Sequence, residues 1–187
     1  YEIITMPISK SEISDIVQNN EFLKPTKGKW DSMIEARYLA GLIAIKKSIK
    51  VYGVKHLITF HSSMSKADTF RRNMDLFTSE YPEFGGIDTF YLNGKMSSSV
   101  RSRELTRFSQ SDCAMVSNAR CLTEGVDVPN VDGVVFMDAK QSAVDIVQAL
   151  GRALRPYKGK KLGYVIIPVL IDTELEQIDQ VGAYQHM

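Results

Sequence analysis

The stretch His56-Leu-Ile-Thr-Phe60, followed by the polar run His61-Ser-Ser63, decides the fold. An apolar run of this length predicts a strand buried on both faces. An amphipathic segment follows at residues 65–79, and its opening Ser65-x-x-Asp68 matches a capping box at the start of a helix. A buried strand followed directly by a helix is the unit from which parallel sheets are built.

The same alternation continues to the end of the chain. Strands are predicted at residues 87–92, 113–116, 133–137 and 163–170. Helices are predicted at residues 98–108, with Val100, Leu105 and Phe108 as the apolar stripe, and at 142–154, where Ser142-x-x-Asp145 forms a second capping box. The sequence therefore predicts an α/β fold with a mostly parallel sheet and helices on both faces.

The beginning of the chain follows a different pattern. Residues 1–9 predict a strand, residues 11–19 a short helix and residues 22–30 a basic loop. We interpret residues 1–30 as an N-terminal extension and residues 31–187, which start with a long helix at 31–51, as the main domain. Lys24, Lys27 and Lys29 beside Trp30 fit either a nucleic-acid contact or a solvated loop with one anchoring aromatic ring.

Composition narrows the classes of protein. The 187 residues are 44% hydrophobic and 24% charged, which suits one globular domain. The net charge of +1 means that contacts with phosphates must be local. Cys113 and Cys121 lack a zinc-ligand spacing and suit a reducing compartment, so we expect a cytoplasmic protein with no metal site of its own. No apolar run approaches the roughly 20 residues of a membrane span. Because the chain starts at Tyr1, we expect it to be a fragment of a longer protein.

Polar clusters follow three of the predicted strands. Ligands bind beyond the carboxyl ends of strands in open parallel sheets, so these clusters are expected to share one edge. They are His61-Ser62-Ser63, residues 117–129, and the helix after Met137. In the second cluster, Ser117, Asn118 and Thr123 offer short polar side chains, Gly125 permits close approach of the backbone, and Asp127 can accept from ribose hydroxyls. The alternative is a polar loop in which Thr123 and Asp127 satisfy local backbone groups.

The helix after Met137 carries a second candidate surface. Gln148, Gly151, Arg152 and Arg155 are spaced i, i+3, i+4 and i+7, so they share one helix face. Two arginines beside a glycine present a permanent positive charge that can approach a transferring phosphoryl group. Taken alone, such arginines are better explained as cations that complement the negative end of a helix.

Together, Thr123-Glu-Gly-Val-Asp-Val-Pro129 and Gln148-x-x-Gly-Arg-x-x-Arg155 resemble motifs V and VI of superfamily 2 helicases. The segment 56–63 is similar to motif IV, and residues 92–101 with Leu105-x-x-Phe108 are similar to the segment that follows motif IV. Four motifs in family order span residues 35–170. The resemblance implies a three-layer RecA-like C-terminal motor lobe.

The resemblance also implies roles for single residues. Arg155 is expected to be the arginine finger, with Arg152 beside it; Gln148, Gly125 and Asp127 are expected to face ATP. Thr123, Ser62, Asn118 and Gly94 are expected to contact the nucleic-acid backbone, although Ser62 and Gly94 are equally well explained as ordinary loop residues. Arg101 is better explained by a solvated helix face.

The sequence carries no P-loop and no Asp-Glu-x-Asp or Asp-Glu-x-His pattern. The resemblance therefore implies that a preceding RecA-like lobe of the same polypeptide binds ATP and Mg²⁺, and that this chain alone does not hydrolyse ATP. Gln148 at the start of motif VI favours DNA motors, including restriction-type translocases, over RNA helicases. An RNA helicase lobe and a non-catalytic α/β docking module remain the alternatives.

Overall fold

A computed structural model describes residues 1–18, 32–82, 85–118, 128, 130–138, 151, 155 and 162–171. Within them, ten elements follow one another along the chain. They are β1 (Glu2–Ser9), α1 (Lys10–Gln18), α2 (Ser32–Tyr52), β2 (His56–Phe60), α3 (Met64–Glu80), β3 (Asp88–Leu92), α4 (Ser98–Gln110), β4 (Ala114–Asn118), β5 (Gly133–Phe136) and β6 (Tyr164–Ile171). No described helix is both long enough and apolar enough to cross a bilayer.

The six strands form one sheet in the order β1-β6-β5-β2-β4-β3, and every neighbouring pair is parallel. β2 lies near the centre, where Phe60 aligns with Asn118 of β4 on one side and with Phe136 of β5 on the other. All strands therefore end at the same edge, here called the carboxyl edge. The prediction of a parallel α/β sheet is confirmed.

Alternation along the strands separates two hydrophobic layers. Leu57, Met115 and Val135 point to the face covered by α2 and α3, where Phe70, Met74 and Phe77 are fully buried. Ile58, Val116 and Val134 point to the opposite face, where α4 packs through Leu105 and Phe108. Successive strand side chains alternate between faces, so a run such as Leu57-Ile58 is apolar throughout because both faces are covered.

The first strand belongs to the same sheet. β1 pairs with β6 from Glu2 opposite Tyr164 to Ser9 opposite Ile171, and Ile4, Met6 and Ile8 are buried in the same core as α2. The sequence predicts residues 1–30 as an N-terminal extension; in the structure β1 pairs within the sheet, and Ile13 of α1 is buried in the same core. The period of two in Ile4, Met6 and Ile8 is the signal of an edge strand with one buried face. The basic loop at 22–30 lies outside the described residues.

Two helix starts differ in how closely they follow the sequence. The predicted capping box at Ser65 is wrong, because α3 begins at Met64 and its N-cap is Ser63. Ser63 is extended, with φ −144° and ψ 159°, and its side chain accepts from the N–H of Lys66 at 3.2 Å. Asp68 instead binds Arg71 and Arg72 on the helix surface. α4 starts where predicted, capped by Ser97. Of the predicted helix 142–154, only Gly151 is described, and its backbone is helical.

Candidate functional site

Three strand ends meet at the carboxyl edge. The N–H of His61 donates to the carbonyl of Asn118 at 3.0 Å, and the N–H of Met137 donates to the carbonyl of Phe60 at 3.1 Å. These bonds extend the ladders of β2 one residue past its end on each side. The chain that leaves β2 therefore has a fixed position relative to β4 and β5.

His61 anchors the turn that follows. Its side chain is 4% exposed and lies against the rings of Tyr38 and Phe70, with centroids 6.3 and 4.9 Å away. Its Nε2 lies 2.9 Å from Thr59 Oγ1, which donates to Ser117 Oγ at 3.4 Å. Burial lowers the pKa of His61 to about 4, so the ring is neutral at pH 7.

Ser62 is exposed at the tip of this turn, and its main chain is hydrogen-bonded to the segment that follows β5. Its N–H donates to Asp138 Oδ2 at 2.7 Å, and Asp138 Oδ1 accepts from Lys66 Nζ at 2.9 Å. Partial burial opposes ionisation of Asp138. The hydrogen bonds from Ser62 and Lys66 outweigh it, and the pKa of Asp138 lies below its usual value. Asp138 was missed from the sequence; an acidic residue directly after a strand was the available signal.

Gly94 lies in an exposed turn at the start of α4. The side chain of Asn93 accepts from the N–H of Lys95 at 2.9 Å, and a Cβ on Gly94 would meet no atom within 4 Å. Tyr91 Oη donates to the carbonyl of Met64 at 3.3 Å, which joins the end of β3 to the first turn of α3. The turns of Ser62 and Gly94 therefore lie on the same edge of the sheet, each at a helix N-terminus.

Two other side chains named from the sequence are turned inward. Ser117 and Asn118 are fully buried, and Ser117 Oγ donates to the carbonyl of Ala67 at 2.6 Å. Burial leaves the Asn118 side chain without direct access to a phosphate, so Ser62 and Gly94 are better placed for such a contact. Arg101 is half-buried and donates to the carbonyl of Met96 at 3.3 Å, so it supports the Gly94 turn and does not lie on a solvated face.

Of the residues predicted to lie near ATP, the structure describes only a few. Arg155 and Gly151 are both exposed, and a Cβ on Gly151 would meet no atom within 4 Å. Gln148, Arg152, Gly125, Asp127 and Thr123 lie outside the described residues. The described parts of the chain contain no group of three or more His, Cys, Asp or Glu that could hold a metal ion.

The chain matches the family described as the helicase conserved C-terminal domain over residues 37–157. It therefore belongs to that family, and it is the C-terminal RecA-like lobe of a superfamily 2 helicase. It is 27% identical over 153 residues to UvrABC system protein B of Thermotoga maritima, covering 77% of this chain and 22% of that protein. The chain thus spans about a fifth of the length of this relative.

Solved structures share the fold. The type ISP restriction-modification enzyme LlaBIII bound to DNA aligns with a TM-score of 0.72 at 24% identity, over 92% of this chain and 12% of that one. Domain 2 of the DEAD-box helicase Mss116p, bound to an RNA duplex, aligns with a TM-score of 0.54 at 19% identity, over 82% of this chain and 57% of that one. At these identities the likeness establishes the architecture alone.

Proposed function

We propose that this chain is the second motor lobe of an ATP-dependent helicase or translocase that moves along nucleic acid, with DNA as the favoured substrate. The observation that carries the proposal is the pair of exposed turns, at Ser62 and Gly94, on the carboxyl edge of a helicase lobe. Two helix N-termini on one edge offer partial positive charge to a phosphate backbone. Such contacts carry no sequence information, so the motor tolerates any sequence.

ATP hydrolysis in this proposal needs two lobes. The preceding lobe of the same polypeptide supplies the P-loop and the Mg²⁺ ligands, and ATP with Mg²⁺ supplies the phosphoryl group whose transfer drives movement. Arg155, with Arg152, enters the cleft from this lobe and stabilises the negative charge of the transferring phosphoryl group. Gln148, Gly125 and Asp127 face the nucleotide, and Thr123 adds a backbone contact. Closure and reopening of the cleft shift the grip of this lobe along the strand.

Arg155→Ala tests the arginine-finger role in the longer protein that also carries the P-loop lobe. Nucleic-acid-stimulated ATPase should lose about 10³-fold in kcat, because arginine fingers contribute about 10³- to 10⁵-fold. Arg72→Ala is the matched control, since Arg72 is exposed on α3 and pairs only with Asp68 among described residues. A kcat near the wild-type value for Arg155→Ala contradicts the assignment.

Stimulation of the ATPase by different nucleic acids tests whether the substrate is DNA or RNA. DNA is favoured because motif VI starts with Gln148, and the likeness to UvrABC system protein B and to LlaBIII agrees with that choice. The fold is also shared with domain 2 of an RNA helicase, so an RNA motor is the second candidate. Stimulation of the ATPase by RNA but not by single- or double-stranded DNA favours that second candidate. Absence of any ATPase in the longer protein favours a docking module.

A further inference from the structure

We propose that Asp138 is a positioning residue that holds the 61–63 loop (His61, Ser62 and Ser63) in place and occupies the ammonium of Lys66, so that Ser62 meets the nucleic-acid backbone. This inference rests on the proposed function, because it concerns the same edge. It adds a residue that none of the four motifs contains.

The 61–63 loop is held at three points. The ring of His61 is buried, the N–H of His61 donates to Asn118, and the N–H of Ser62 donates to Asp138 Oδ2 at 2.7 Å. The first two points lie inside the sheet. Among the described residues, Asp138 holds the exposed part of the loop, just before Ser63 caps α3. Its carboxylate therefore controls the direction in which Ser62 leaves the sheet.

The main chain next to Asp138 is held by hydrogen bonding and packing. Met137, the residue before it, bonds through its N–H to Phe60 and packs against Gly41 of α2. A Cβ at Gly41 would lie 2.2 Å from Met137 Cε and 2.5 Å from Met137 Sδ, so the helix and the strand exit are in close contact. The bond from the Met137 N–H to the Phe60 carbonyl holds the main chain directly before Asp138, and the Met137 side chain fills the space beside Gly41.

Lys66 is the second group that Asp138 controls. Its ammonium lies 2.9 Å from Asp138 Oδ1, and the Lys66 side chain is 39% exposed. A paired ammonium releases few counterions when nucleic acid binds, whereas a freed one adds to the salt dependence. By pairing with Lys66, Asp138 therefore keeps that ammonium from contacting the nucleic-acid backbone, and its bond to Ser62 keeps the loop in position. Asn at position 138 separates these effects, since its carbonyl can still accept from Ser62 but cannot pair with Lys66.

The sheet supplies a matched control at its opposite edge. Asp132, just before β5, accepts from the N–H groups of Lys55 and His56, at the start of β2, at 3.0 and 2.8 Å. Asp132 and Asp138 thus fasten β5 to β2 at the two ends of the same strand pair. Only Asp138 lies at the carboxyl edge. Asp132→Asn perturbs an equivalent bond about 16 Å away, at 3.3 Å per residue along β2.

The experiment measures binding of a labelled single-stranded oligonucleotide by fluorescence anisotropy, from about 50 to 200 mM salt. Asp138→Asn should steepen the slope of log Kd against log salt by about 0.7, the contribution of one freed cation. Asp138→Ala should show the same steepening but bind about three- to tenfold more weakly than Asp138→Asn, because only it loses the acceptor for Ser62. Asp132→Asn should match the wild type in both quantities.

Hydrogen exchange of the Ser62 amide is the second measurement. We expect protection in the wild type and in Asp138→Asn, and its loss in Asp138→Ala. Equal affinity of Asp138→Asn and Asp138→Ala overturns the proposal, as does an equal loss in Asp132→Asn. If Asp138→Ala does not fold, an unchanged salt slope in Asp138→Asn overturns it. A wild-type chain that binds no nucleic acid contradicts the proposed function instead, while Ser62 exchange still reports on Asp138.

Discussion

Burial of His61 makes the stability of this lobe depend on pH. The imidazole is enclosed by Tyr38, Phe70 and the end of β2, and its Nδ1 has no hydrogen-bond partner among the residues that the structure describes. Asp138 favours the charged ring and Lys66 opposes it, but burial is the largest influence, and the pKa falls from 6.5 to about 4. The protonated ring is therefore tolerated in the unfolded chain and excluded from the folded one.

The size and direction of the effect follow from linkage. Between pH 6.5 and about 4, the unfolded state binds one proton that the folded state does not, so folding stability falls as pH falls. For a pKa of about 4 in the folded state, the free energy of unfolding at pH 5 is about 2 kcal/mol lower than at pH 7.5. The full difference between the two pKa values corresponds to about 3 kcal/mol. The hydrogen bonds from Ser62 and Lys66 lower the pKa of Asp138, which moves its titration away from this window.

Urea unfolding of the wild type and of His61→Asn, at pH 5 and pH 7.5, isolates the contribution of this ring. Other titrating groups affect both proteins alike, so the stability difference between the two proteins should change by about 2 kcal/mol between the two pH values. His61→Asn should lose stability at pH 7.5, since it removes the ring packed on Phe70, and should lose less at pH 5. A stability difference that is the same at both pH values refutes the buried, neutral state of His61.

Two further predictions concern stability. Lys46 is fully buried on α2, its ammonium donates to the carbonyl of Gly85 at 2.6 Å, and burial lowers its pKa. Lys46→Met should therefore leave the free energy of unfolding at pH 7 unchanged or raise it by about 1 kcal/mol, whereas Lys46→Ala should lower it by about 2 kcal/mol or more. A larger loss for Met than for Ala in urea unfolding contradicts this. Ser63→Ala should cost about 1 kcal/mol through loss of the α3 cap, and Ser65→Ala should change stability by less than about 0.5 kcal/mol. Thermal unfolding ranks the two, and the reverse order contradicts the assigned cap.

The strands were predictable because their signal is local. The central strands at 56–60, 114–118 and 133–136 are buried at nearly every position, and consecutive apolar pairs such as Leu57-Ile58 and Val134-Val135 are typical of strands covered on both faces. Sequence placed them within a residue or two. The edge strand β1 was found as a strand but assigned outside the lobe, because pairing with β6 joins residues about 160 positions apart. No local pattern reports such a pairing.

The candidate site divides in the same way. Its residue types were readable from sequence: the turns at Ser62 and Gly94, and the exposed Arg155, lie in segments whose order matches the helicase family. The roles given to Arg155 and to the residues outside the described parts stay predictions. The burial of Asn118 could not be predicted from the sequence. A polar residue at the end of a strand faces water or the core depending on which neighbours cover it.

By itself, the sequence determined the α/β class, the parallel sheet and the helicase lobe, because hydrophobic periodicity and motif order are properties of consecutive residues. Tertiary structure alone decided that His61 is an anchor and that Asp138 holds Ser62 and Lys66. Those contacts join strand ends more than 70 residues apart, and they exist only because parallel strands bring their exits to one edge. The sequence separation of two residues does not reveal whether they are in contact.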